Sequence, residues 1–131
     1  MIWAAAGFLA MATALPSVVM VDRPVTVVVP VPDTARQEKV VLLRMAGVIM
    51  RRDAPAMWNV FWEKQDEAHL IGYISSPANT AARNPRPANF ILELPAAASA
   101  AVRRQKEMRF MFAPVQKLPQ GGVTITSVRL E

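Results

Sequence analysis

The chain has 131 residues, of which 53% are hydrophobic and 19% charged, and this composition fits one packed domain and excludes a disordered chain. It has no cysteine and a single histidine, so a disulfide scaffold, a thiolate metal site and a histidine-rich metal centre made by this chain alone are excluded. The net charge of +5 comes from scattered basic residues that are not interleaved with aromatics. We therefore expect a solvated basic surface and no nucleic-acid partner.

The first 16 residues form an uncharged apolar segment with two open interpretations. Ile2–Ala10 has the length of a signal-peptide core and Ala12–Ala14 supplies a small-x-small cleavage site, but no basic residue precedes them. One interpretation is an export signal, which would make the protein secreted or periplasmic. The other, equally favoured, is the tail of a linker in a longer protein. A membrane anchor is disfavoured because Pro16 and the β-branched run after it fit poorly. We expect residues 17–131 to form the folded domain.

The folded part alternates apolar and polar residues as short strands do. Trp58, Val60 and Trp62 share one face of an extended segment and predict a central strand after a turn at Asp53–Pro55. The other predicted strands are 17–29, 40–50, 69–75, 89–94, 108–112 and 123–130. One short surface helix is predicted between Pro95 and Arg104. About seven strands with proline-rich loops predict an all-β fold, either an antiparallel β-sandwich or a jelly-roll-like barrel.

Two irregularities are predicted within these strands. Gly47 marks a bulge or turn in the second strand. In the last strand the apolar positions change face between Ile125 and Val128, so a bulge is expected near Thr126 or Ser127.

Finer expectations concern burial and the short connections. Leu70, Gly72 and Ile74 are expected to share a face, and residues 34–39 and 63–68 to form a polar loop and a turn. Pro24 is expected to make the start of its strand an edge or a bend. The residues expected to be largely buried are Trp58, Val60, Trp62, Phe90, Leu92, Phe110 and Phe112.

No constellation in the sequence predicts catalysis. His69 is interpreted as a solvent-facing residue at a strand start, and the acidic residues fall in turns or on polar faces without an acid–base pair. Ser75 and Ser76 lack the context of a hydrolase nucleophile, and Gly121-Gly122 is not followed by a phosphate-binding helix. We therefore expect no active site in this chain.

Several segments resemble a known family in their sequence and order. Met57-Trp58-Asn59-Val60, preceded by Asp53-Ala54-Pro55, is similar to the Lys-Phe-Asp-Val signature of the C-terminal domain of tyrosinases and plant-type polyphenol oxidases. Three of the four signature positions differ. Segments 25–30, 41–48 and 70–74, the last containing Gly72, and the closing segment 123–131 also resemble that domain.

The resemblance implies a non-catalytic β-domain that packs over the copper entrance of a separate, helical dicopper domain. Such a domain shields or stabilises the enzyme, and the copper is held by the partner domain in cis or in trans, with no cofactor in this chain. The residues alone leave open a stand-alone, exported or membrane-anchored β-sandwich that binds another protein.

A partner contact is expected in the longest loop, residues 76–87, because loops protrude from a rigid sandwich and prolines limit the entropy lost on docking. The candidate contact residues are Pro77, Asn79, Arg83, Asn84 and Arg86. A solvated crossover connection is the competing interpretation of this loop. The turn from Glu63 to His69 is the alternative contact.

Overall fold

The computed structural model describes residues 18–20, 23–50, 57–75, 87–115 and 123–131. These ranges hold strands β1 (Val18–Met20), β2 (Val25–Pro30), β3 (Leu42–Met50), β4 (Met57–Lys64), β5 (Glu67–Ser75), β6 (Ala88–Glu93), β7 (Glu107–Pro114) and β8 (Val123–Leu130), and helices α1 (Asp33–Arg36) and α2 (Ala96–Val102). All strand pairs are antiparallel. Sheet I has the order β1-β8-β3-β6 and sheet II the order β2-β7-β4-β5. The predicted all-β fold is confirmed, and it is a sandwich rather than a closed barrel.

The core lies between the inner faces of the two sheets. In sheet II, β4 contributes Trp58, Val60 and Trp62, and Trp62 lies directly opposite Phe110 of β7. These side chains are at most 4% exposed, so the period-2 pattern of β4 predicts its buried face correctly. Burial of each such side chain stabilises the fold by about 1.5–3 kcal/mol. The aromatic rows therefore hold β4 as a central strand of sheet II.

A bulge in sheet I lies at the first of the two irregularities expected from the sequence. The register of β3 against β6 shifts between Met45 and Val48, and Gly47 has φ of 64°. The Thr126 hydroxyl donates to the Gly47 carbonyl at 3.1 Å, so the two predicted positions meet across β3 and β8. A Cβ on Gly47 would lie 2.4 Å from Thr126 Oγ1. The bulge predicted at Gly47 is confirmed, and the site has room only for glycine. The bulge predicted near Thr126 or Ser127 is not borne out, because β8 pairs with β3 in one unbroken register, although Ile125 and Val128 are both buried.

The prediction of one strand over residues 17–29 is wrong. β1 pairs with β8 in sheet I, whereas β2 pairs with β7 in sheet II. Pro24 lies between them, as the expected bend requires, because it has no N–H to donate to a ladder. The chain therefore passes from one sheet to the other within a segment that the sequence shows only as rich in valine.

The predicted polar loop over 34–39 is also partly wrong, because α1 begins just before it. Asp33 and Arg36 form an i,i+3 ion pair that supports this single turn. Arg36 also donates to the Gln105 carbonyl at 3.1 Å, and Arg103 donates to the Glu38 carbonyl at 3.0 Å. These bonds hold the α1 segment against the turn that follows α2.

Helix α2 lies within the predicted range of residues 95–104, but it is not purely a surface helix. Its Ala98, Ser99, Ala101 and Val102 are buried, and the other alanines face solvent. Small side chains on one face let the helix approach the core closely, so it closes one end of the sandwich.

Two core predictions fail for the same reason. Phe90 and Leu92 pack against the core but are only partly buried. Their strand, β6, is at the edge of sheet I, so it has a neighbour on one side only. The other five predicted core residues are buried.

The predicted face of β5 is wrong at Leu70. Val60 pairs with Gly72 but Phe61 pairs with Leu70, so Ile71 is the extra residue of a bulge. Leu70 is therefore directed to the outer face and is 60% exposed, whereas Ile74 is buried. The predicted turn over 63–68 is also shorter than expected, because β4 continues to Lys64 and β5 begins at Glu67.

Candidate functional site: the outer face of sheet II

The signature segment lies in the first half of β4 and serves both faces of sheet II. Trp58 and Val60 point into the core, and Met57 and Asn59 lie on the outer face. The Trp58 Nε1 is buried and has no hydrogen-bond partner within the described residues. Half of the signature therefore stabilises the sandwich, and the other half contributes to its surface.

Gly72 is brought directly opposite Val60 in the β4–β5 pair. A Cβ at Gly72 would lie 2.9 Å from Leu92 Cδ2 of the other sheet. The missing side chain thus lets β5 approach β6 across the sandwich. Gly72 has a packing role, since nothing polar converges on it in the described contacts.

The outer face of sheet II carries a group of large apolar side chains, with Asn59 and Ala113 between its two ends. Met111, Phe61 and Leu70 stand side by side on β7, β4 and β5. Next to this row, Tyr73 lies opposite Asn59, and the Val115 N–H donates to the Met57 carbonyl at 2.9 Å. We call this group the outer apolar face; its members are Met57, Phe61, Leu70, Tyr73, Met111 and Val115.

Much of the outer apolar face is accessible to solvent. Tyr73 is 57% exposed, Val115 is 52% exposed and Met57 is 37% exposed, in addition to Leu70. Phe61 and Met111 are half-buried between their neighbours. Scattered exposed apolar residues are ordinary, so it is their grouping on one sheet that makes this face the candidate interaction surface.

The charges beside this face neutralise one another. Glu63 Oε1 lies 3.8 Å from Arg109 Nε, and the Thr26 hydroxyl donates to the same carboxylate oxygen at 3.2 Å. Glu63 and Arg109 form the next row of the sheet toward the β4–β5 hairpin, whereas Thr26 lies opposite Met111 in the row of Phe61. The outer apolar face is thus bordered on that side by a paired charge and not by a free one.

The sequence analysis missed this face although a signal for it was present. β4 carries apolar residues on both of its faces, because Met57 and Phe61 alternate with Trp58, Val60 and Trp62. A strand with one solvated face normally has polar residues there. Leu70 and Tyr73 join the group only through the bulge at Ile71, which no local pattern predicts.

His69 does not belong to a metal site of the type that a dicopper enzyme needs. It is the third residue of β5 and is exposed, with its ring centroid 5.5 Å from that of Trp62 and its Nε2 3.3 Å from Glu67 Oε2. Within the described ranges, no group of three His, Cys, Asp or Glu side chains is arranged to hold a metal ion. With one histidine and no cysteine in the whole sequence, this chain does not fit a dinuclear copper centre.

An open hollow of about 240 Å³ lies beside α2 and is lined in part by Lys39, Ser99 and Arg103. The Arg103 guanidinium already donates to the Glu38 carbonyl. Arg103 therefore helps to hold the segment after α1 against the turn that follows α2.

The loop residues predicted to contact a partner, Pro77, Asn79, Arg83, Asn84 and Arg86, lie outside the described residues. The alternative contact, from Glu63 to His69, is the hairpin at the end of the outer face of sheet II. Its Gln65 has φ of 54° in the two-residue connection between β4 and β5. Within the described ranges, neither helix has the length and apolar character needed to span a membrane.

Comparison with known proteins gives a clear result for the fold alone. No family model matches the sequence, and no curated protein matches it. Among solved structures, latent apple tyrosinase matches with a TM-score of 0.64 and 15% identity over 90% of this chain and 27% of its own. A latent aurone synthase, a polyphenol oxidase, matches with a TM-score of 0.66 and 10% identity over 86% of this chain and 25% of its own. The chain thus spans about a quarter of the length of these proteins, and it has the fold of one part of a tyrosinase or polyphenol oxidase chain.

Proposed function

We propose that this chain is a non-catalytic β-domain of a tyrosinase- or polyphenol oxidase-like copper enzyme, and that it covers or stabilises the dicopper domain. The observation that carries the proposal is the fold likeness, which extends over 90% of this chain but only 27% of latent apple tyrosinase. A part of that size leaves most of such an enzyme for a separate catalytic domain. The order of the resembling segments in the sequence points to the same part of the family.

The copper of such an enzyme belongs to the partner domain. His69 is the single imidazole that this chain offers, and it lies against Trp62 and Glu67. A dinuclear copper site built on imidazoles needs several such ligands. The role proposed for this chain is therefore to bind the catalytic domain and limit access to it, whether the two domains share one chain or associate as separate chains.

The loop over residues 76–87 remains a proposed contact with the catalytic domain. It connects Ser75 at the end of β5 with β6, so it leaves the sandwich beside Met57, which pairs with Ser75. Pro77, Asn79, Arg83, Asn84 and Arg86 would supply its contacts. The Glu63–His69 hairpin is the second proposed contact, at the opposite end of β4 and β5.

The test uses a tyrosinase-like catalytic domain that is supplied as a separate chain, taken from the same or a neighbouring reading frame where one is encoded there. After copper loading, its rate of catechol oxidation should fall in a saturable manner when this chain is added. Replacement of Ala78–Arg86 by a short Gly-Ser linker should abolish the suppression if this loop makes the contact. Unchanged suppression by the loop-replaced chain would exclude the loop. If the intact chain neither binds the catalytic domain nor suppresses its activity, the proposed function is refuted.

A stand-alone protein-binding sandwich is the second candidate, and the exposed apolar side chains on the outer face of sheet II are the observation that supports it. The two candidates differ in their coding context. A copper-binding histidine pattern upstream or in a neighbouring frame favours the enzyme domain, and its absence favours the stand-alone protein.

A further inference from the structure

We propose that the outer apolar face of sheet II is the surface on which the dicopper domain docks. This inference rests on the proposed function and adds the place of contact. It shifts the main contact from the loop over 76–87 to the body of the sandwich, where Phe61, Leu70 and Tyr73 form its centre.

The shape of the face suits a protein partner. Three neighbouring strands present it, and the cross-strand pairs Met111–Phe61 and Phe61–Leu70 form one continuous row. The strands that present it are held in place by their ladder hydrogen bonds, so little backbone entropy is lost when the face docks. Tyrosine at its exposed edge supplies a large apolar ring and a hydroxyl, the combination that is enriched in interface hot spots.

The size of the face favours a tethered partner over a second copy of this chain. With roughly 200 Å² for a fully exposed large side chain, Leu70, Tyr73, Met57 and Val115 leave on the order of 400 Å² accessible. Two copies that pair through this face alone would bury about 800 Å², whereas stable interfaces bury about 1,200 Å² or more. A small interface suffices when the partner is on the same chain, because the effective concentration is then in the millimolar range.

The solved relatives supply that arrangement. In latent apple tyrosinase the matched fold is 27% of one continuous chain, so a far larger remainder is covalently attached to it. By the same reasoning the natural occupant of the outer apolar face is the remainder of a tyrosinase-like chain.

The charge beside the face specifies the chemistry of the partner surface. The Glu63–Arg109 pair leaves no net charge in the adjoining row, although the whole chain carries +5. The complementary surface should be apolar and close to neutral. Salt screens interactions between charges, and an apolar contact has few of them. The affinity of docking should therefore change less than about threefold between about 50 and about 500 mM NaCl.

The experiment compares three single substitutions in the intact chain. Leu70→Asp and Tyr73→Asp place a charge in the face, and Ile91→Asp is the matched control. Ile91 is 48% exposed, and its strand β6 is an edge strand of sheet I as β5 is of sheet II. Because a tethered contact acts at an effective concentration in the millimolar range, affinity for the copper-loaded tyrosinase-like domain is measured by calorimetry with this chain added up to about 1 mM, together with suppression of catechol oxidation.

We expect Leu70→Asp and Tyr73→Asp each to weaken binding at least about tenfold, and Ile91→Asp to change it less than about twofold. Thermal melts followed by circular dichroism should show similar stability for all three, which separates docking from folding. If the intact chain binds but the three variants lose affinity equally or not at all, the face is refuted and the proposed function stands. If the intact chain does not bind, the proposed function itself fails, and the docking face fails with it.

A further measurement tests whether the chain associates with itself through this face. Sedimentation of the intact chain should show a monomer. A dimer that Leu70→Asp converts to a monomer would show that the face pairs two copies, and it would overturn the assignment to a dicopper domain.

Discussion

The two sheets of the sandwich have equally apolar inner faces but very different outer faces. On sheet I, Arg44 Nε lies 2.8 Å from Glu131 Oε2, and Arg129 Nε lies 3.0 Å from the same oxygen. On sheet II, the corresponding central positions hold Phe61 and Met111, with Leu70 and Tyr73 beside them. Among the described residues of sheet I, Ile91 is the single large hydrophobic side chain that is prominently exposed. Sheet I packs its inner face equally well with a charged outer face. The apolar side chains on the outer face of sheet II are therefore not needed for packing the core.

The difference has a physical explanation in terms of solvent. An ion-paired outer face is stable in water, whereas an apolar outer face gains free energy only when another surface covers it. Natural sheets usually give their solvated face a polar pattern. Sheet I follows this rule and sheet II departs from it, so sheet II is the side on which a partner is expected.

The largest effect is predicted for the shared core, where the sheets do not differ. Trp58→Ala should lower the free energy of unfolding by about 3–5 kcal/mol, because a fully buried indole leaves a cavity. Urea unfolding measures this value. Trp58→Phe should cost less than half as much, since it keeps most of the ring and removes a buried N–H that has no partner among the described residues. A loss below about 1 kcal/mol for Trp58→Ala would contradict the assignment of the inner face.

A smaller effect is predicted at the bulge that adjusts sheet I. Gly47→Ala should destabilise the fold by about 1–3 kcal/mol, because φ of 64° and the contact with Thr126 both oppose a Cβ. Gly72→Ala is the matched control. Its Cβ would meet only the flexible end of Leu92, so the loss should be clearly smaller. Equal losses in urea titrations would show that the left-handed backbone at Gly47 contributes little.

The ion pairs on the outer face of sheet I should contribute still less. Glu131→Gln should lower the free energy of unfolding by no more than about 1 kcal/mol, because both arginine partners are partly exposed and screened by solvent. The loss should shrink further at high salt. A double-mutant cycle with Arg44→Met isolates the pair, and a coupling well above 1 kcal/mol would mean that this face is stabilised more strongly than a solvated one.

The smallest effect is predicted for the outer apolar face in the isolated chain. Leu70→Ser should change the free energy of unfolding by less than about 0.5 kcal/mol, since the side chain is 60% exposed. Urea unfolding of the chain without a partner measures it. A loss near 2 kcal/mol would assign Leu70 to the packing of the sandwich itself and weaken the case for a docking surface.

The sequence by itself determined the all-β class, the buried face of β4, the helix near residue 100 and the bulge at Gly47. These features depend on local rules: alternation with period 2, helix propensity and the backbone freedom of glycine. The sequence alone also shows the resemblance of Met57–Val60 to the family signature, and that of the segment containing Gly72 to the same domain. The structure then gives these residues their roles, with Trp58 and Val60 in the core and Gly72 packed against Leu92 of the other sheet.

Only the tertiary structure decided which sheet each strand joins and which faces are left uncovered. β1 and β2 lie in one valine-rich segment of the sequence but belong to different sheets. Phe90 and Leu92 are only partly buried because β6 is an edge strand. Leu70 changes face because one extra residue at Ile71 shifts the register against β4. Strand order and register depend on pairings between residues far apart in the chain, and a local alternation contains no information about them. The outer apolar face results from those pairings, which is why it is visible only in the folded molecule.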